Sequence, residues 1–202
     1  MTHTLHRRGT PESLSRDYPM MMLRAVGFND AGYLPKCQEF LRIAVRHNPV
    51  NLASEMKGNI FEFSLEEIIA DARGDSFAVF ADPADLTACL AELHEADLGL
   101  SVVVSGDFET VQRCFRDAGL QQHTANFSLG IVGKTELLPD ERILEIVTMC
   151  GHGMVHPKLV KTMVNEIHAG RMTPESAARL LAMNCTCGVF NPVRAAELLS
   201  KF

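Results

Sequence analysis

Tryptophan is absent from this 202-residue chain and tyrosine occurs twice, so any core must be assembled from aliphatic side chains, phenylalanine and methionine. No apolar run approaches the length of a membrane span, which excludes an integral helical membrane protein as an expectation from sequence. Met1 to Arg16 lacks the apolar stretch of a secretory signal, so a cytoplasmic location with reduced thiols is expected. A surplus of basic charge is also missing. With 19 basic against 25 acidic residues the net charge is -6, which argues against a partner such as duplex DNA, whose phosphates need a basic face.

What is present suits a folded domain: 47% apolar and 22% charged residues, in a chain long enough to bury one substantial core. Through the first two-thirds, apolar patterns of strand and helix type alternate. Tyr18 to Val26 reads as a strand, Pro35 to His47 as a helix, and short strands are expected near Val50–Ala53 and Asn59–Phe63. Ser64-Leu65-Glu66-Glu67 forms a capping box, and Asp82-Pro83 caps a helix reaching Ala96. Leu98 to Val104 is near-continuously apolar, the mark of a buried strand, and His123 to Ile131 alternates like a half-buried one.

Beyond Pro139 the pattern becomes wholly helical. Four amphipathic stretches follow, over 140–149, 157–169, 174–183 and 192–201, and the last three open on a proline. The expected architecture is therefore α/β: a layered sheet-and-helix domain followed by a C-terminal four-helix segment. Residues 1–17 form a tail and short helix, 18–136 the α/β domain and 137–202 the helical segment. The tail, with His3 and His6 as a spare histidine pair, reads as solvated.

The chemistry concentrates in two glycine-flanked pieces, Met149-Cys150-Gly151-His152-Gly153-Met154-Val155-His156-Pro157 and Asn184-Cys185-Thr186-Cys187-Gly188. Cys37, Cys89 and Cys114 keep helical register with apolar neighbours and read as core residues. Cys150, Cys185 and Cys187 lie where helices stop. Four short helices joined by short connections run up and down in turn, which brings both cysteine loops to one end and leaves His168 at the other. Cys150, His152, His156, Cys185 and Cys187 are thus candidate metal ligands. Four of them suffice for zinc or an iron–sulfur cluster, and three thiolates favour the cluster by a narrow margin.

These features point to a metal- or iron–sulfur-binding protein acting as an enzyme on a small anionic substrate, with His152 or His156 as general acid or base. Two alternatives remain. One is a regulatory module with a structural zinc, binding a small molecule at Ser105, Gly106 and Asp107, where a strand end meets a helix start. The other is a thiol enzyme with Cys150 as nucleophile and His152 or His156 as base. His123, Asn126 and Ser128 are candidates for lining the same ligand face. Gly130-Ile131-Val132-Gly133-Lys134-Thr135 fails as a phosphate loop, because Ser128 stands where glycine is needed and Pro139 interrupts the following helix.

Overall fold

A computed structural model describes residues 4–202. Its framework is a five-stranded sheet in the order β3-β2-β4-β1-β5 with every neighbouring pair antiparallel. The strands are β1 (Tyr18–Leu23), β2 (Asn51–Ser54), β3 (Gly58–Asn59), β4 (Ser76–Phe80) and β5 (Ser101–Val104). Between them lie α2 (Tyr33–Val45), α3 (Leu65–Ala70) and α4 (Pro83–Ala96), preceded by the single turn α1 (Pro11–Leu14) and followed by α5 (Phe108–Asp117). The C-terminal helices are α6 (Glu141–Val147), α7 (Pro157–His168), α8 (Pro174–Met183) and α9 (Pro192–Leu199).

The two-residue period of the strands divides the interior into two cores. From β1, Tyr18, Met20 and Met22 point to one side and Met21 to the other; from β4, Ala78 and Phe80 oppose Phe77. The first core meets Phe40 and Leu41 of α2, Ile68 of α3, Leu86 and Leu90 of α4 and Val111 of α5. The second meets Ile143 and Ile146 of α6, Val160 and Val164 of α7, Ala177 and Leu181 of α8, and Ala195 and Leu199 of α9. The result is a sheet between two helical layers, the α/β layout with a C-terminal helical segment. Cys37, Cys89 and Cys114 are buried in the first core, as their register implies.

Local chemistry fixes the helix starts. Ser64 Oγ accepts from Glu67 N at 3.3 Å while Glu67 Oε2 accepts from Ser64 N at 3.0 Å, completing the capping box of α3. Asp82, Thr173 and Asn191 cap α4, α8 and α9 with a proline just inside each helix.

Three expectations are corrected. β1 stops at Leu23, short of Val26. β5 occupies an edge and not a buried position; it spans only Ser101–Val104, and its valines are half-buried. His123 to Ile131 forms no strand and is largely exposed, with Phe127 64% and Leu129 98% accessible. Alternation describes a strand only where a partner supplies a ladder, and Gly130 and Gly133, at φ +89° and +103°, bend the backbone away from extended geometry.

Candidate functional site

α6 runs into a 3-10 turn, Thr148–Cys150, and ends at Gly151 with φ +45°, a left-handed conformation that favours glycine. The reversal turns the following residues back over Cys150. His152 N donates to Cys150 O, and the backbone N–H groups of His152, Met154 and Val155 all act on the Cys150 sulfur. A thiol hydrogen bond from Cys185 is the largest influence. Together these donors overcome burial and hold the Cys150 thiol down at about 6. Cys185 is pushed in the opposite direction, well above the ordinary value, because it supplies that hydrogen bond, neighbours Cys187 and is buried. The two thiols are thus driven apart, Cys150 toward the thiolate and Cys185 toward keeping its proton.

The second loop begins as α8 ends. Cys185 N donates to Ala182 O at 2.9 Å and Gly188 N to Cys185 O at 2.8 Å, curling the chain so that Cys185 and Cys187 turn inward together. Their sulfurs lie 3.9 Å apart. Cys187 Sγ lies 3.6 Å from His152 Nδ1, joining the two loops. Cys150 and Cys185 are fully buried and Cys187 is 5% exposed, whereas His152 stands on the solvent side. The structure thus brings Cys150, Cys185, Cys187 and His152 together. His156 takes another role: its Nδ1 accepts from Lys158 N at 3.1 Å, making it the cap of α7. Among the described residues, no group of three or more His, Cys, Asp and Glu side chains is arranged, as it stands, to hold a metal ion.

Side chains far away in sequence hold these loops. Arg7, expected in a solvated tail, has a side chain only 6% exposed. Its Nη2 donates to Met149 O at 3.1 Å and to Val189 O, the carbonyls flanking the two cysteine pieces. Its Nη1 reaches Asp17 Oδ2 at 2.5 Å, and Arg194 Nη1 donates to the same oxygen at 2.9 Å. Asn191 Nδ2 adds a bond to Asp17 Oδ1 at 3.2 Å. From the sheet, Asn59 Nδ2 donates to Ala182 O at 3.2 Å and Cys185 O at 3.0 Å, and Asn51 Nδ2 donates to Phe190 O at 2.9 Å. Sequence reasoning overlooked all of these. One signal was available: Arg194 sits beside Ala195 and four residues before Leu198, on the buried face of its helix, and a charge placed there requires a buried partner.

Ser105, Gly106 and Asp107 share a cavity with Arg7 and Asp17. Asp107 Oδ2 accepts from Thr110 N at 2.9 Å as the cap of α5, and this bonding holds its carboxyl low. Ser105 Oγ pairs with Thr4 Oγ1 at 2.5 Å. The cavity measures about 540 Å³, and Leu14, Asn126 and Ser128 also line it. His123 lines a neighbouring cavity beside β5. His6 Nδ1 lies 2.8 Å from Ser128 Oγ, and His3 falls outside the described residues. No protein-family model, curated protein or solved structure matches the chain.

Proposed function

We propose that the protein binds a single thiophilic metal ion, zinc in the first instance, through Cys150, Cys185, Cys187 and His152. The observation that carries this reading is the pair of donor separations. A tetrahedral ion with sulfur at about 2.3 Å and imidazole nitrogen at about 2.05 Å sets S–S edges of about 3.8 Å and S–N edges of about 3.6 Å. The sulfurs of Cys185 and Cys187 are 3.9 Å apart, and Cys187 Sγ is 3.6 Å from His152 Nδ1. Donors this close suit one ion better than a cubane cluster, which spreads its cysteines over separate iron atoms. The Cys150 thiolate supplies the third sulfur, and its backbone donors are the usual outer support of such a ligand. His152, exposed between Gly151 and Gly153 and in contact with Cys187, is the fourth donor.

The three cysteines are buried, so the site reads as closed: an ion there ties two loops together and presents little open coordination to a substrate. Burial of Cys150 also favours an ion over attack on a substrate by that thiolate. None of the six cysteines forms a disulfide, which fits a reducing compartment. Among the described residues, no helix is long and apolar enough to cross a membrane. The cavity at Ser105, Gly106 and Asp107 supports a second reading, a small-molecule site that operates alongside the metal.

Cobalt(II) titration of the metal-free protein tests the first reading. The expected result is saturation at one equivalent with intense thiolate-to-cobalt charge transfer and tetrahedral visible bands, both weakened in Cys187→Ser. A weak octahedral spectrum indifferent to that substitution would count against it.

A further inference from the structure

We infer that residues 123–131 form a self-association surface, on which the same segment of a second copy of this chain pairs as an antiparallel strand. The inference is independent of the metal-binding reading. Ala125, Phe127, Leu129 and Ile131 alternate with Asn126, Ser128 and Gly130, a strand pattern without a strand partner. Among the described residues, no backbone group from Gln121 to Val132 bonds to another backbone group. The edge strand β5 supplies no ladder. Cavities of about 320 and 150 Å³ are lined both by β5 and by residues of this stretch. Its ties to the rest of the chain are few: the Phe127 ring lies 5.3 Å from that of Phe108, and Ser128 Oγ meets His6 Nδ1 at 2.8 Å.

Leu129 and Val132 are almost fully exposed, at 98% and 90%, and Phe127 joins them at the surface. Apolar surface gathered in this way marks an interaction site on a folded protein. From Ala118 to Gly133 the chain carries no Asp, Glu, Lys, Arg or Pro, the residues that keep exposed strands from pairing. That neutrality selects the partner. Each copy has a net charge of -6, so two copies approach closely only over an uncharged stretch. A polyanion or an anionic membrane finds no cationic side chain in it before Lys134. Pairing about a twofold axis through Ser128 sets Phe127 against the partner's Leu129 and Ala125 against the partner's Ile131, so apolar side chains meet on one face. Gly130, at φ +89° in the single chain, reaches extended geometry without the cost a side chain imposes.

Sedimentation velocity of the full chain, from micromolar to hundred-micromolar concentration, tests the pairing beside Leu129→Lys and Ser128→Cys. The wild type is expected to be a dimer. Leu129→Lys puts a charge into an apolar pair on both sides of the axis and is expected to raise the dissociation constant by at least about tenfold, with an unchanged melting temperature. Ser128→Cys faces itself across the axis and is expected to give a disulfide-linked dimer on mild oxidation, whereas Lys134→Cys stays monomeric in the same gel; the six native cysteines are buried. A wild type that stays monomeric throughout the range would overturn the inference, as would a dimer indifferent to Leu129→Lys or a Ser128→Cys protein that does not cross-link. A wild-type monomer that co-sediments with phosphatidylcholine vesicles would overturn it too, by giving the patch to a lipid surface.

Discussion

Asn59 shows how one buried amide can set the path of a loop. Its Nδ2 serves the carbonyls of Ala182 and Cys185, and its Oδ1 accepts from Phe61 N at 2.9 Å. Asn59→Ala strips partners from buried backbone groups, a loss of about 1–3 kcal/mol. Urea unfolding should show that loss as a lower midpoint with an unchanged slope. In the opposite layer, Asp75 is held above its ordinary value of 3.8, chiefly by burial and against a hydrogen bond from the Tyr33 hydroxyl at 3.2 Å. A carboxyl whose folded pKa is raised contributes favourably below its unfolded value, and that contribution is lost as pH rises through the folded one. Asp75→Asn should therefore melt higher than the wild type at neutral pH, with the advantage fading on acidification to below 3.8. Coincident melting temperatures at neutral pH would show that burial of this carboxylate costs nothing.

At the scale of elements, local signals were legible and pairing signals were not. Asp82-Pro83, Thr173-Pro174 and Asn191-Pro192 announce helix starts because a cap and a proline act within one turn. The meeting of the two cysteine loops was also legible, since short connections force neighbouring helices to reverse. His123 to Ile131 misled because its alternation has no ladder to join. The two glycines beside the site separate strain from steric fit. Gly188, at φ +64°, lies so close to β2 that an added Cβ would stand 2.5 Å from Ala53 Cβ, whereas Gly153, at φ +73°, has nothing within 4 Å. Gly153→Ala should cost about 1 kcal/mol from backbone strain alone. Gly188→Ala should cost about 2–4 kcal/mol, because the second loop must also move off the sheet. Chemical denaturation of both variants checks the order, and equal losses would mean the contact with Ala53 is slack.

Across the whole molecule, the sheet carries one core on each face, and the N-terminal residues reach partners far along the chain. Arg7 lies 142 residues from Met149 and 182 from Val189, contacts that no local pattern encodes. The same distance hid Asp17 as the shared partner of Arg7 and Arg194. His152 Nδ1 meets Cys187, whereas His156 Nδ1 caps α7. The proposed ion between Cys150, Cys185, Cys187 and His152 is checked by the metal content and visible spectrum of protein purified without added metal or oxygen, compared with Cys150→Ser and Cys185→Ser. Colourless protein carrying about one zinc per chain is expected, falling below about a tenth in either variant. Brown protein with iron and labile sulfide, or metal-free protein that refuses zinc, would contradict it.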